Sequence, residues 1–435
     1  MTDHDPFAPK EYNHAAKTPP MGFNTWDCYG AGVDEKNFLA NAKVLAEKLK
    51  PHGYQYAVVD IQWYEPTADS AAYHPFADLC MDEYSRLLPA PNRFPSAKNG
   101  WGFQKLADEI HAMGLKFGIH ILRGVPRQAV HRNAPTVTPG VTARDIAAPY
   151  SICPWNTDMY GVDPDKPGAA AYYDSLFRLY AEWGVDFVKV DDIANTEYKP
   201  HDPYSAKREI ELIREAVAKC GREMVLSLSP GPAPLSAAAH LCRYADMWRV
   251  SGDFWDRSEA LDRAFDLCAD WWPYIGEGHW PDCDMLPLGV LQVNEKDPVY
   301  RGRRSRFTKN EQKTLFTLWC MFRSPLIFGG ELTMTDDETL SLVTNDALIA
   351  INQTSSDNRP LVSDRGRAVW TCLDADGKRV VALFNRLNEP QEISVPLLKE
   401  RVTVTDLWTG EARLLDPRAP IPLDAKDCFA FRIEE

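Results

Sequence analysis

The feature that most constrains the fold is a repeated alternation of short apolar runs with amphipathic helical segments between residues 20 and 330. Eight such strand–helix units fit an α/β fold of the (β/α)8 TIM barrel type. A doubly wound parallel sheet is the rival, but no GxGxxG motif follows a predicted strand. The sequence therefore predicts a barrel whose strands lie near residues 22–26, 54–60, 115–121, 185–192, 223–229, 245–250, 275–280 and 326–328.

Beyond residue 361 the pattern changes to short β-rich runs separated by turns such as residues 374–377. Runs of this kind are typical of a small antiparallel β-sandwich. We therefore expect an N-terminal extension at 1–17, a catalytic barrel at 18–357 and a C-terminal antiparallel β domain at 358–435.

Composition narrows the class of function. The net charge of -14 disfavours nucleic acid as a partner. No apolar run reaches the roughly 20 residues that span a bilayer, so no membrane partner is expected. Residues 1–17 are polar and lack an apolar signal region, which favours the cytoplasm. The ten Cys show no CxxC pair, so we expect no metal site and no cofactor. We expect most of these Cys to be reduced thiols and several of them to be buried.

The run at 185–192 carries the strongest chemical signal. It is apolar on both faces, as in a buried parallel strand, yet it ends in Lys189, Asp191 and Asp192. Charges at such a place are costly unless they are paired or functional. We expect Asp191 to be a catalytic carboxylate. Lys189 lies two residues earlier, on the same side of the strand, and would keep Asp191 ionised.

Polar residues also follow the other predicted strands. They are Trp26, Asp27, Asp60, His120, Ser229, Arg249, Asp253, Asp282 and Asp284. A lone Asp at a strand end is more often a solvated loop residue or a helix cap. Recurrence at successive strand ends is harder to explain that way, because a barrel brings these ends to one rim. Two carboxylates there can divide the work of a glycosidase between nucleophile and acid/base.

Some residues of the rim loops admit two interpretations. Arg123 either forms an ion pair with a rim acid or recognises an anionic substituent of the substrate. Asp192 is expected to be a loop residue or the partner of an Arg, because adjacent strand residues face opposite ways. Trp63 and Trp155 lie on the long loops, where they could stack on sugar rings or belong to the core.

Five motifs resemble glycoside hydrolase family 27, the family of α-galactosidases and α-N-acetylgalactosaminidases. Residues 18–26 resemble its Pro-Pro-Met-Gly-Trp opening, and residues 189–191 its Lys-aromatic-Asp nucleophile motif. Residues 248–253 resemble its Trp-Arg-x-x-x-Asp acid/base motif, and residues 279–286 its Trp-Asn-Asp-Pro-Asp-Met-Leu motif. Residues 349–353 resemble a segment leaving the barrel. The motifs occur in the family's order and span residues 18 to 357.

The resemblance implies a TIM barrel with a C-terminal antiparallel β domain and a role for each matching residue. Asp191 would be the nucleophile and Asp253 the acid/base of a retaining, exo-acting α-glycosidase. Its substrate would be an oligosaccharide or glycoside with a galactose-like nonreducing end. The paired carboxylates of retaining enzymes lie about 5–5.5 Å apart, and the mechanism needs no metal. The implied substrate-binding residues are Trp26, Asp60, His120, Lys189, Ser229, Arg249 and Asp284.

Departures from the family pattern surround the expected reaction centre. Ile61 stands where the family has the second acid of an Asp-Asp pair that grips the 4- and 6-hydroxyls of galactose. His120 replaces a sugar-contacting Tyr, while Ser229 and Gly231 are small residues that leave room at the 2-position. The leading expectation is an α-galactosidase-type enzyme. An α-N-acetylgalactosaminidase, a β-L-arabinopyranosidase and an enzyme for modified galactosides remain alternatives.

Two readings from other classes also stay open. One is a transglycosidase, which shares the covalent intermediate and differs in its acceptor. The other is a sugar-binding barrel without catalysis, which the presence of both Asp191 and Asp253 disfavours. A homo-oligomer is a possible assembly.

Overall fold

The computed structural model describes residue 12 and residues 15–396, 398–416 and 418–434. Most of the expected N-terminal extension, residues 1–17, therefore lies outside the described residues. No helix within the described ranges is long and apolar enough to cross a membrane. All ten cysteines lie in those ranges, all are free thiols and eight are buried, as expected.

Eight parallel strands form one curled sheet, which confirms the expected barrel. In chain order they are β1 to β8: Met21–Asn24, Tyr56–Val59, Lys116–Leu122, Phe187–Asp191, Val225–Leu228, Met247–Arg249, Trp280–Asp282 and Leu326–Phe328. Spatial neighbours follow chain order from β1 to β7, and β8 pairs with β1. The ring closes just beyond β7, where Leu286 forms an isolated parallel bridge with Phe328 of β8.

A helix follows each strand. Helices α1 to α8 are Glu35–Val44, Gln104–Ala112, Ala169–Glu182, Lys207–Lys219, Ala238–Tyr244, Ser258–Trp271, Lys309–Phe322 and Asp346–Thr354. In α4 the stripe of Ile210, Ile213 and Val217 is buried, as its spacing predicts. A capping box opens α7: Thr308 and Glu311 each accept the other's backbone N–H through their side chains.

The loops contain short elements. Four further short helices are Trp26–Tyr29, Arg127–Arg132, Ala143–Ile146 and Asp337–Val343. The loop after β3 forms a small antiparallel sheet from Val125–Pro126, Ala147–Ile152 and Met159–Val162. Beyond β7, Val290–Leu291 pairs with Arg303–Arg304. These loops all rise from the carboxyl ends of the strands.

Two predicted strand positions were wrong. The seventh strand was expected at 275–280, but β7 is Trp280–Asp282. Gly276 and His279 instead exchange backbone hydrogen bonds across a tight turn, so this segment doubles back before the strand begins. Trp26 was expected to end the first strand, but it opens the helix Trp26–Tyr29.

The C-terminal residues form the expected antiparallel β structure. Strands β9 to β14 are Ser356–Ser363, Arg367–Leu373, Arg379–Asn385, Val402–Asp406, Ala412–Leu415 and Cys428–Ile433, and they form one sheet. A separate pair, Gln391–Ile393 with Ile421–Leu423, covers one face. The other face packs on the barrel helices, with Phe384 against Phe265 at 5.1 Å between ring centroids.

The amino end of the barrel is plugged by the chain that leads into it. Ala16 is buried there among the residues at or near the starts of the strands, including Tyr56, Phe187 and Met247. The indole Nε1 of Trp280 donates to the carbonyl of Ala16 over 2.7 Å. This end is therefore filled by protein, and the opposite end holds the cavity described next.

Candidate active site

A cavity of about 420 Å³ opens at the carboxyl ends of the barrel strands, where TIM-barrel enzymes place their sites. Eight of the nine expected site residues line it: Trp26, Asp60, His120, Lys189, Asp191, Arg249, Asp253 and Asp284. Ser229 does not line it, although its neighbours Pro230 and Gly231 do. The strand-end pattern in the sequence therefore identified most of the polar lining.

Asp191, the last residue of β4, receives a hydrogen bond on each carboxylate oxygen. His120 Nε2 lies 2.9 Å from Oδ2, and the backbone N–H of Asp192 donates to Oδ1 over 2.8 Å. His120 Nδ1 is buried without a partner, which fits a tautomer with the proton on Nε2. Asp192 adopts a left-handed φ of 55°, and its N–H points back at the carboxylate.

These contacts keep Asp191 ionised. Burial alone would raise its pKa, but the hydrogen bond and charge of His120, followed by the charge of Lys189, outweigh it and lower the pKa. Lys189 was expected to keep Asp191 ionised, and its charge does lower the pKa of Asp191, though by less than His120 does. Its ammonium instead forms a 2.9 Å ion pair with Asp60.

Asp60 and Lys189 form a buried pair beside Asp191. Asp60 Oδ2 also accepts from Asn24 Nδ2 over 2.7 Å, and Oδ1 accepts from the backbone N–H of Ile61. Burial opposes ionisation of Asp60, yet Lys189 and then His120 lower its pKa below the usual range. Asp60 raises the pKa of Lys189 against the effect of burial. Both groups are therefore charged at neutral pH.

Arg249 joins two acids on the other side of the cavity. Its Nη2 lies 2.7 Å from Asp284 Oδ2 and 3.3 Å from Asp253 Oδ1. Asp284 also accepts from the backbone N–H of Phe254. Burial, with the charges of Asp253 and Asp282, raises the pKa of Asp284 to about 7 although Arg249 opposes the shift. The side chain of Asp253 is 63% exposed, so it faces the open part of the cavity.

Arg123 lies outside the cavity lining. Its guanidinium is buried and forms ion pairs with Asp192 at 2.8 Å and Glu209 at 3.1 Å. Ser151 Oγ accepts a further hydrogen bond from it. The ion-pair interpretation of Arg123 and the Arg-partner interpretation of Asp192 are therefore confirmed. The alternative, recognition of an anionic substituent, has no support because no free donor of Arg123 faces the cavity.

Aromatic rings from the long loops wall the cavity. Tyr73 stacks on Trp26 with ring centroids 6.0 Å apart, and Trp155 lies 5.8 Å from Tyr73. Trp255 also lines the cavity, whereas Trp63 is fully buried in the core. Neither Tyr73 nor Trp255 was singled out from the sequence. The available signal was only that the loops after β2 and β3 are long and rich in aromatic residues.

Two neutral positions shape the lining. Ile61 presents an aliphatic side chain to the cavity directly beside Asp60. Gly231 lies against the next loop so closely that a Cβ there would be 2.0 Å from the carbonyl oxygen of Ser251. Its small size is therefore required by backbone packing as well as by the cavity.

The lining offers carboxylates, cations and one imidazole, a set suited to acid/base and nucleophilic chemistry on a polyhydroxylated ligand. In the described ranges no group of three or more His, Cys, Asp or Glu is arranged to hold a metal ion. The paired acids Asp191 and Asp253 line the same cavity from β4 and from the loop after β6.

Comparison with protein-family models gives two matches, which together cover well over half of the chain. Residues 160–354 match the model described as α-galactosidase A. Residues 364–433 match the model described as the α-galactosidase C-terminal β-sandwich domain.

Solved structures extend the likeness to nearly the whole chain. A GH27 β-L-arabinopyranosidase from Geobacillus stearothermophilus is 51% identical, covers 97% of each chain and superposes with a TM-score of 0.92. A protein from Bacillus halodurans, provisionally described as an α-N-acetylgalactosaminidase, is 48% identical, with a TM-score of 0.86 over 98% of this chain and 99% of its own. An α-galactosidase from Oryza sativa subsp. japonica is 24% identical over 428 residues, which are 96% of this chain and 85% of that protein.

Proposed function

The chain belongs to glycoside hydrolase family 27, and from that membership we propose that it is an exo-acting β-L-arabinopyranosidase. As a member of this family it is a retaining glycoside hydrolase that acts on glycosides. The proposal concerns the sugar that it releases and the residues that release it. A β-L-arabinopyranoside has the ring and anomeric arrangement of an α-D-galactoside and lacks only the hydroxymethyl group.

Ile61 is the observation that carries the choice of sugar. The family's Asp-Asp pair grips the 4- and 6-hydroxyls of galactose, and Ile61, which stands in place of the second acid, has no acceptor to offer. Asp60 beside it is already hydrogen-bonded to Lys189, Asn24 and the Ile61 N–H. A buried hydroxyl without a partner costs about 1–3 kcal/mol. The aliphatic side chain of Ile61 therefore favours a sugar that has no hydroxymethyl group on ring carbon 5.

In the mechanism that we propose, Asp191 attacks the anomeric carbon and Asp253 protonates the departing glycosidic oxygen. His120 and the Asp192 N–H hold Asp191 ionised and oriented. The resulting ester is hydrolysed by a water from which Asp253 removes a proton, so the released sugar keeps its anomeric configuration. Arg249 touches both Asp253 and Asp284, and so ties the proton donor to the cavity wall.

An α-N-acetylgalactosaminidase is the second candidate. The small residue Gly231 lines the cavity near the end of β5 and favours space for a 2-substituent. N-acetylgalactosamine, however, also carries a hydroxymethyl group, which would meet Ile61. We therefore rank this activity second. Location in the cytoplasm, a homo-oligomeric state and transfer to sugar acceptors stay predictions from the sequence.

A panel of aryl glycosides tests the proposal. We expect the highest kcat/KM with the β-L-arabinopyranoside, ahead of the α-galactoside, the α-N-acetylgalactosaminide and the α-glucoside. A higher kcat/KM with the α-N-acetylgalactosaminide would replace the proposed sugar by the second candidate. Equal rates on the arabinopyranoside and the galactoside would remove the argument from Ile61.

The Ile61→Asp substitution tests the residue itself. A new acceptor should lower the ratio of arabinopyranoside to galactoside kcat/KM by roughly 10-fold or more, because a site that binds a hydroxyl discriminates against its absence. Ile61→Val is the matched control: it keeps the wall apolar and should leave the ratio near that of the wild type.

A further inference from the structure

One buried carboxyl of the cavity has no hydrogen-bond partner among the residues that the structure describes. Asp27 follows Trp26 in the helix Trp26–Tyr29, lines the cavity and is 3% exposed. Neither of its carboxyl oxygens takes part in a hydrogen bond or ion pair among the described residues, and Oδ2 is fully shielded from solvent. Buried polar groups in folded proteins nearly always have partners, so this exception needs a physical explanation.

The other strand-end carboxylates that line the cavity are engaged, and the remaining lining carboxylate, Glu197, is exposed to solvent. Asp60 pairs with Lys189, Asp191 with His120, and Asp253 and Asp284 with Arg249. The two cations that line the cavity, Lys189 and Arg249, are therefore already held by other acids. Its place is nevertheless specific, because the carboxyl rests on Gly329 after β8, where a Cβ would lie 2.1 Å from Oδ2.

The surroundings of Asp27 favour the neutral form of its carboxyl. Burial, followed by the charge of Asp284, raises its pKa well above the usual range, while Lys189 opposes the shift and Asp253 and Asp60 add to it. A protonated carboxyl has one O–H donor and retains acceptor lone pairs. It therefore complements a hydroxyl group, which also donates and accepts, better than it complements a cation.

We propose that Asp27 is a specificity-determining residue that hydrogen-bonds one ring hydroxyl of the sugar bound in the cavity. The proposal rests on the proposed glycosidase function and adds a contact on the β1 side, between the Asp60 pair and the Arg249 cluster. The bound sugar then supplies the hydrogen-bond partner that this carboxyl lacks within the described part of the protein. Substrates that lack the contacted hydroxyl are thereby disfavoured.

A buried water is the alternative partner. Asp27 also borders a second cavity of about 20 Å³, shared with Tyr29, Gln292 and Asn294. That volume admits one water molecule. In this case the carboxyl would be a structural group, and its loss would weaken the handling of every substrate to the same degree.

A double-mutant-type cycle, in which the enzyme residue and one substrate hydroxyl are removed singly and together, separates the two cases. Wild type, Asp27→Ala and Asp27→Asn are assayed on the aryl β-L-arabinopyranoside and on its 2-, 3- and 4-deoxy analogues. Deoxygenation changes intrinsic reactivity equally for all three enzymes, so that effect cancels in the cycle. Asp158→Asn is the control, since Asp158 is a buried acid with partners Gln62 and Tyr64 and does not line this cavity.

We expect Asp27→Ala to lower kcat/KM on the parent glycoside by about 10- to 100-fold and to have much less effect on one deoxy analogue. Asp27→Asn, which keeps the shape and a donor, should recover part of the loss and covers the case in which the Ala variant does not fold. Equal losses on all four substrates for both variants would overturn the proposal and favour the buried water.

The proposed sugar is tested separately in the same experiment. If wild type prefers the aryl α-galactoside, the arabinopyranosidase assignment fails, and the deoxygalactoside series then decides the role of Asp27. Asp158→Asn should show no dependence on any hydroxyl. Hydroxyl dependence in that control would mean that the cycle reports general damage, and would also count against Asp27.

Discussion

Asp191 owes its negative charge mainly to a side chain from the neighbouring strand. His120 lies on β3, one strand away, and its Nε2 reaches the carboxylate directly, while the ammonium of Lys189 is turned to Asp60. A carboxylate held in this way accepts two hydrogen bonds and still has the lone pairs that the proposed role of nucleophile requires. The ammonium of Lys189 is paired with Asp60 instead.

Replacement of His120 tests this division of labour. His120→Phe removes the hydrogen bond that lowers the pKa of Asp191. The pKa of Asp191 should rise, so the acidic limb of the kcat/KM profile, below which the nucleophile is protonated, should move to higher pH. The measurement is a pH–rate profile on an activated aryl glycoside. His131→Phe, outside the cavity, is the control and should leave the limb in place; an unmoved limb in His120→Phe would refute the assignment.

Asp253 is tested through the leaving group. Asp253→Ala should slow hydrolysis of substrates with poor leaving groups by roughly 10²–10⁴-fold, because their oxygen needs a proton in the transition state. Aryl glycosides with acidic phenols should lose far less in the first step. Equal losses across a series of phenols, measured by pre-steady-state release, would speak against the role of proton donor.

At the scale of single residues the sequence predicted which side chains line the cavity better than it predicted which side chains contact one another. The strand-end acids lie on one cavity, as their spacing indicated. The hydrogen-bond partner of each acid could not be predicted, because it depends on the directions of side chains on neighbouring strands. Ser229 illustrates the limit: it directly follows β5, yet its hydroxyl is buried and Pro230 and Gly231 form the wall instead.

Among the elements, α7 shows how a local signal determines a boundary. Thr308 accepts the N–H of Glu311, and Glu311 Oε2 accepts the N–H of Thr308 over 2.8 Å. The helix is almost wholly buried between the barrel and the C-terminal sheet. Its start was readable from four residues because the capping interaction is local.

Loss of that cap should destabilise the protein measurably. Thr308→Ala removes one of the two capping bonds and should lower the free energy of unfolding by about 1 kcal/mol. Urea unfolding followed by tryptophan fluorescence gives the value. Thr308→Ser retains the hydroxyl and should stay within about 0.5 kcal/mol of wild type; a Ser variant as unstable as the Ala variant would assign the effect to the lost methyl group.

Elements set by contacts distant in sequence were harder to predict. The apolar stripe of helix α4 can be read from the sequence alone, because its spacing is internal to the helix. Strand β7 was misplaced, because it has only three residues and its pairing with β6 decides its position. The same holds for Trp26, whose aromatic character suggests a strand although the chain turns into a helix there.

For the molecule as a whole, the barrel and the C-terminal sheet share one continuous core. Phe384, Trp370 and Trp408 of the β domain pack against rings of α6 and α7. Lys426 adds an ion pair to Asp262 of α6 at 2.8 Å. The sequence predicted both parts from their patterns of apolar residues. It could not show how tightly the two parts pack together, because the helix and sheet faces that meet there come from segments far apart in the sequence.

A shared core predicts shared unfolding. Phe384→Ala should cost about 3–5 kcal/mol and lower the temperature of a single calorimetric transition that includes the barrel. Phe431→Ala, whose side chain belongs to the separate core of the β domain, is the comparison. Two resolved transitions in wild type, of which Phe384→Ala moves only the smaller, would show that the parts unfold independently.

The plug of the barrel at Ala16 has a practical side. The chain enters the described fold on the face opposite the cavity, tied there by Trp280. A solid support or a fusion partner attached upstream of residue 15 would therefore start from the closed face. Protein immobilised through such a linker would present its cavity to the solution, so the attachment point determines the orientation of each molecule on the support.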